Sequence, residues 1–282
     1  YLGTSADTIV VNCKAGNAVG GTTNFIVTVN VQENTYTNTN SLRFQSGSNA
    51  YLTGSATNVP ALSRAANGAG ASDAWSISMW VKTGGGSATQ QLFHYGGNTT
   101  YTNGAISLTQ QNINDLVFVY GSGFNNIVFS LSNVLTANTW THILVTYDGG
   151  TTGVASGSHS DYYSRFNCVI NGSVQSPAFS QANNGYDGSI NAVNYFVGRG
   201  IGGVYKLTAA RVNQLGIWSS DEFSNRDDIY NNGSTQDLSL LASAPDNYYE
   251  IDNSVITITD KTGNANLSGF NFVTTDLVTD TP

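Results

Sequence analysis

Residues Trp75-Ser-Ile-Ser-Met-Trp-Val-Lys82 decide the fold class. In an extended chain Trp75, Ile77, Met79 and Val81 fall on one face and Ser76, Ser78 and Lys82 on the other, because successive strand side chains point to opposite sides. A helix would scatter the same residues round its axis, so the stretch predicts a strand with one buried face. Strand-like runs recur from end to end: Thr8 to Cys13, Phe25 to Val31, Ser41 to Phe44, Leu116 to Tyr120, Ile127 to Leu131, Thr141 to Tyr147, Phe166 to Ile170, Tyr195 to Val197, Val212 to Trp218 and Val255 to Thr259. Gly and Asn clusters separate them. Many short strands punctuated by turn residues predict an all-β, two-sheet antiparallel sandwich.

Composition agrees. Of 282 residues only 10 % are charged, while 31 are Gly and 15 are Tyr. Helix surfaces draw on Glu, Lys, Arg and Ala, whereas this chain covers itself with Asn, Thr, Ser and Gly. Its 40 % apolar and 11 % aromatic content argues against disorder and is ample for a core. A net charge of -8 with ten scattered basic residues gives a polyphosphate nothing to neutralise, so no nucleic-acid partner is expected. No apolar run approaches the length of a membrane span, and no membrane insertion is expected. The chain begins at Tyr1, which reads as a mature or trimmed form.

One helix is signalled, near residues 220 to 231. Ser219 and Glu222 have capping-box spacing, Phe223, Ile229 and Tyr230 supply a thin apolar stripe, and Asn232-Gly233 offers a left-handed stop. Residues 1 to 40 read as an N-terminal extension of two strands and a polar spacer, and 41 to 282 as the main domain. An isolated hairpin is marginally stable in water, so the extension is expected to pair with the main sheet or with a neighbouring subunit. Cys13 and Cys168 either bridge or sit as two small buried hydrophobes.

From residue 41 onward the order of landmarks resembles the LamG-like group of concanavalin A-type jelly rolls. The resemblance rests on Ser41-Leu-Arg-Phe44 with Asn49-Ala-Tyr51, Asp73 to Val81, Thr139-Trp-Thr-His142 through Asp148-Gly149, Val169-Ile-Asn-Gly172, Phe196-Val-Gly-Arg199, Val212 through Trp218 into the helix, and Tyr248-Tyr249 with Asp260-Lys-Thr-Gly-Asn264. It implies two face-to-face antiparallel sheets with variable rim loops. It implies no single function, since such modules serve as lectins, adhesion domains, accessory modules and virion proteins.

Glu250-Ile-Asp252 invites comparison with laminarinase-like glycosidases, but Ser254 and Val255 stand where a third acid would be needed. His94, His142 and His159 assemble no hydrolase triad, and no catalytic residues are assigned. Rim Ca²⁺ is common in such folds, and the eligible oxygen ligands are Asp73, Asp148, Asp161, Asp187 and Asn194, with Asp187, Asn194 and Asp148 the candidates retained. Asp148-Gly149 reads first as a turn, since Asp-Gly is a preferred hairpin dipeptide. The four tryptophans, Trp75, Trp80, Trp140 and Trp218, read as core aromatics. Sugar platforms are therefore sought among Tyr95, Tyr101, Tyr162, Tyr163 and Tyr186, residues that would serve protein contacts as well. Gly149 to Arg165 reads as an insertion projecting from the rim.

The expectation is a non-enzymatic structural and recognition protein, extracellular or on a virion surface. A bacteriophage decoration, capsid-surface or tail protein leads, self-associating or binding other virion proteins. The alternatives are a Ca²⁺-dependent lectin or adhesion module for surface glycans and, last, a laminarinase-type enzyme.

Overall fold

A computed structural model describes residues 8–16, 22–30, 36–63, 73–86, 88–97, 104–122, 125–149, 164–182 and 190–282. The chain forms two compact units, Tyr1–Thr37 and Asn38–Pro282. In the first, β1 (Thr8–Gly16) and β2 (Thr22–Asn30) form a two-stranded antiparallel sheet of their own.

The second unit begins with β3 (Ser41–Phe44), β4 (Tyr51–Thr53), β5 (Trp75–Lys82), β6 (Gln90–Gly96), β7 (Ala105–Gln111) and β8 (Asp115–Ser122). Then come β9 (Asn125–Leu131), β10 (Trp140–Tyr147), β11 (Phe166–Ile170), β12 (Ser173–Val174), β13 (Ala178–Ala182) and β14 (Asn194–Val197). The last strands are β15 (Ala210–Trp218), β16 (Asn247–Tyr249), β17 (Thr257–Ile258), β18 (Leu267–Phe270) and β19 (Leu277–Val278). One eight-stranded sheet runs β12-β11-β10-β5-β15-β3-β19, with β16 also on β15, and one nine-stranded sheet runs β13-β9-β8-β7-β6-β14-β4-β18-β17. The sheets form the antiparallel sandwich expected of a concanavalin A-like jelly roll.

The layers meet on aromatic rings. Trp75 of β5 lies 5.9 Å from Phe118 and 5.6 Å from Tyr120, both on β8 of the other sheet, and 6.0 and 6.1 Å from Tyr147 and Phe166 of its own. Tilted and edge-on pairs at these spacings add about 0.5–1.5 kcal/mol each beyond area burial. Val212, Leu215 and Ile217 of β15 all reach this core although the first two are three residues apart. A bulge between Asn213 and Leu215 absorbs the extra residue, with Gln214 at φ 39°. Cys168 packs in the same core, where burial pushes its pKa up to about 12; the side chain of Cys13 lies outside the described residues.

The second face of β5 is not wet, which corrects the sequence reading. Ser76, Ser78 and Trp80 are buried. A smaller apolar cluster of Leu144, Val169, Trp218, Ile229, Leu238 and Tyr248, with Phe223 and Leu241 against it, covers this side. The cover is the segment after β15, and its helix is shorter than expected. A 3₁₀ turn at Phe223–Asn225 leads into α1 (Arg226–Tyr230), which stops at Asn231 in the left-handed region. The capping box does not form. Glu222 is buried and instead accepts from the hydroxyls of Ser220 (2.5 Å) and Ser243 (2.7 Å) and from Asn225 Nδ2 (2.6 Å). A side chain satisfied sideways cannot also reach back to the helix start.

Trp140 is the tryptophan that departs from the core expectation. It is half-buried, and its Nε1 donates to Asp280 (3.0 Å), which also holds Lys82 (2.9 Å) and Arg211 (2.8 Å). Residues near the end of the sequence are thereby clamped to β5, β10 and β15. Trp218, almost fully buried in the outer cluster, donates its indole N–H to the Ser243 carbonyl (3.0 Å). Trp218→Ala should cost about 3–5 kcal/mol, read as a lowered urea midpoint in an otherwise β-rich protein.

Candidate functional site

Most sequence-nominated residues do not meet. Tyr95 is not a loop residue: it lies on β6, fully buried, with its hydroxyl donating to the carbonyls of Ala56 (2.9 Å) and Val59 (3.1 Å). The strand's alternation turns Tyr95 into the core, so it cannot stack on a sugar. Tyr101, Tyr162, Tyr163, Tyr186, Asp161, Asp187, His159 and most of the 149–165 insertion lie outside the described residues. Asn194 donates its amide to the Gly96 carbonyl (3.2 Å), tying β14 to β6. Asp148 takes Arg165 at 3.3 Å, and burial raises its pKa while Arg165 lowers it. Among the described residues no three His, Cys, Asp or Glu side chains converge as a metal cluster. Asp73 and Asp246 share a cavity of about 490 Å³ with Pro60, Ala61 and Ser63, but Asp246 is already engaged by Ser219 N at 2.5 Å.

Glu250 and Asp252 are not strand-borne either. β16 ends at Tyr249, and Ile251 between the two acids has φ 56°, which breaks the alternation that would present both carboxyl groups on one face. Burial raises both pKa values, but Glu250 is paired with Lys261 at 3.1 Å.

A different set of residues does converge, at the end of the nine-stranded sheet where β14, β4 and β18 lie side by side. Leu52 points into the core, so its neighbour Tyr51 points out; Tyr195 and Val197 are buried, so Phe196 points out. Tyr51 pairs in register with Phe270 and stacks on it, with centroids 5.0 Å apart and planes 5° from parallel, while Phe196 meets Tyr51 edge-on at 6.0 Å. The Arg199 guanidinium carbon stands 4.3 Å from the Tyr51 centroid and 5.5 Å from that of Phe196. Cation–π contacts of this kind contribute about 0.5–2 kcal/mol.

A tight loop fixes the arginine. Gly198 N donates to Leu92 O (3.1 Å), Leu207 N to Gly198 O (2.8 Å) and Gly200 N to Val204 O (2.9 Å). Gly203, at φ 78°, lies against the guanidinium, and a β-carbon there would come 3.5 Å from Arg199 Nη2. Tyr205 takes φ 52°, an uncommon value for a bulky residue, while its carbonyl accepts from Gln91 N at 2.6 Å. The resulting cavity, about 240 Å³, is lined by Asn49, Tyr51, Arg199, Gly203, Lys206 and Asn271. Asn49 and Asn271 are both exposed and left-handed, and the Asn271 amide donates to Asn49 O (3.2 Å). The site thus offers an aromatic wall, two cations and carboxamides. Tyr51 and Arg199 both sat in stretches read as fold landmarks; the readable signal was Tyr-Leu-Thr alternation at 51–53, which places the ring on the side away from the core.

The family model for the concanavalin A-like lectin/glucanases superfamily matches residues 53–219, more than half of the chain. The chain belongs to this superfamily. A search of curated proteins finds no match. Among solved structures of the same fold, a candidate carbohydrate binding protein from Bacteroides ovatus superposes with a TM-score of 0.53 at 15 % identity, over 88 % of this chain and 65 % of its own. The chain therefore spans just under two thirds of that protein's length. A heptameric SAP-like pentraxin from Limulus polyphemus gives a TM-score of 0.44 at 13 % identity, over 81 % of this chain and 93 % of its own. The CBM40 of a Ruminococcus gnavus IT-sialidase, bound to α2,3 sialyllactose, gives 0.41 at 13 %, over 57 % and 83 %. The first of these shares the sandwich at low identity.

Two histidines of this sandwich are held neutral by burial. His142, whose Nε2 meets Ser78 Oγ at 2.8 Å, has its pKa lowered to about 3 by desolvation. His94, next to Phe196 in register, is lowered to about 4 by desolvation, partly offset by the Gly97 carbonyl. Below the ordinary value of 6.5 the unfolded chain binds protons that the folded chain refuses, so stability falls as pH drops from about 6.5 toward 4. At pH 4.5 each histidine should cost on the order of 2–3 kcal/mol. Urea midpoints should fall between pH 7 and 4.5, and His142→Gln should remove about half of the histidine contribution.

Proposed function

We propose that the protein is a carbohydrate-binding recognition module working outside the cell, with its ligand seated against Tyr51 and Phe270 at the 240 Å³ cavity. The observation that carries this reading is an aromatic pair at a polar-lined cavity, with Phe270 still 44 % exposed after stacking on Tyr51. A sugar ring needs a flat apolar surface for its C–H face and fixed donors and acceptors for its hydroxyls. Asn49 and Asn271 can supply both amide donors and acceptors. Superfamily membership supports the reading as analogy.

Of the two roles expected from the sequence, recognition is favoured over assembly. The cavity is built within one compact unit, whereas a virion-surface role leans on composition and on residues 1 to 40.

A glycan array followed by calorimetry on the best oligosaccharide tests the proposal. Phe270→Ala should weaken binding about tenfold, equivalent to about 1.4 kcal/mol, while lowering stability by about 0.5–1.5 kcal/mol through the lost Tyr51 stack, so the variant remains folded. Binding should survive EDTA, because no carboxylate lines the cavity among the described residues. An array with no oligosaccharide bound would sink the reading.

A further inference from the structure

Eight of the ten Lys and Arg residues have described side chains, and their pairing is uneven. Arg43, Lys82, Arg165, Arg211, Arg226 and Lys261 each lie within 4.0 Å of a carboxylate. Arg199 and Lys206 are the two without such a partner among the described residues, and both line the cavity beside Tyr51. In a chain with 18 acids and 10 bases, cations should be the easiest groups to pair. Two unpaired cations on one cavity wall therefore mark a place where negative charge is missing.

The construction of the wall narrows what would supply it. Arg199 is partly buried against Tyr51, Phe196 and Gly203, so its guanidinium is held in place rather than waving in solvent. Its Nε is sealed from solvent with no hydrogen-bond partner. A guanidinium fork fixed in one plane matches a carboxylate, which it can hold through two parallel bonds, and Lys206 adds a mobile point charge. The net charge of -8 repels anions at long range, but at physiological salt that field is screened beyond about 8 Å, and the local pair governs contact. Tyr51 joins the two parts of the site, with Phe270 stacked on one face and the Arg199 guanidinium over the other, and the free stacking surface is that of Phe270.

We infer that this cavity selects acidic saccharides, holding a sugar carboxylate on Arg199 and Lys206 while the ring rests on the exposed side of Phe270. This rests on the carbohydrate reading above and names its ligand class.

The test is calorimetry of the full chain with an oligogalacturonate, with the same oligosaccharide after carboxyl reduction, and with a carrageenan oligosaccharide, which carries sulfate but no carboxylate. The oligogalacturonate should bind at least tenfold more tightly than its reduced form, and raising NaCl from 50 to 500 mM should weaken it several-fold. Arg199→Met and, separately, Lys206→Gln should each remove most of that preference; Lys206 is partly exposed, so its variant should keep the fold if the arginine variant does not. Arg165→Gln, which removes the same charge elsewhere, should bind like the unaltered protein. Equal binding of the acidic and reduced sugars, or an acid preference intact in both cavity variants, would overturn the inference and leave the carbohydrate reading standing. Binding of the sulfated oligosaccharide alone would overturn the carboxylate assignment. No binding by any of the three, with an empty glycan array, would overturn both.

Discussion

β5 is buried on both faces, and the rest of the structure is arranged round that fact. One face carries Trp75 into the aromatic contact between the sheets; the other carries Ser76, Ser78 and Trp80 under the segment that follows β15. An unpaired buried polar group costs about 1–3 kcal/mol; among the described residues β5 leaves the indole N–H groups of Trp75 and Trp80 without a partner, but its buried serines find partners. Ser76 does so by donating to the Ser220 carbonyl (2.8 Å) and accepting from Glu222 N (2.9 Å), which pins the covering segment at its start. Ser78 does so through His142. Ser76 is therefore a docking point for the cover, Ser78 ties β5 to β10, and Trp80, with Tyr230 stacked 5.9 Å away, is an apolar surface beneath the cover.

This explains which parts of the fold could be read from the sequence. Trp75 to Val81 announced its core face correctly, because alternation records one face at a time. It could not announce that Ser76 and Ser78 would also be buried, since serine looks the same in water as beside a covering loop or a histidine that supplies its partner. β6 and β7 went unread for a related reason. Gln90, Gln91, Ser107, Thr109 and Gln110 are polar yet buried, and Gln91 spends its amide on Phe93 O, Leu108 O and Ser107 Oγ across a bulge. Buried polar residues with internal partners erase the contrast on which a strand pattern depends.

The site was less legible than the fold. Tyr95 was expected as a sugar platform, yet it belongs to β6 and its ring is buried. Tyr51 and Arg199 are 148 positions apart in the numbering, and only the adjacency of β4 and β14 makes them neighbours. Pairing is a property of space: a count of 18 acids and 10 bases says nothing about which two cations will be left over.

The turns have a consequence of another kind. Of twelve non-glycine residues with positive φ among the described residues, eight are Asn, including Asn171 between β11 and β12 and Asn231 at the end of α1. Asn tolerates this backbone region better than other side chains, so each such turn asks of its residue little beyond that tolerance, a demand Gly or Asp also meets. Core positions likewise ask for volume and apolarity more than identity. A scaffold whose constraints are this permissive in letters and this strict in geometry can drift far in sequence without moving its strands, which is how two chains with 15 % of residues in common come to share one sandwich.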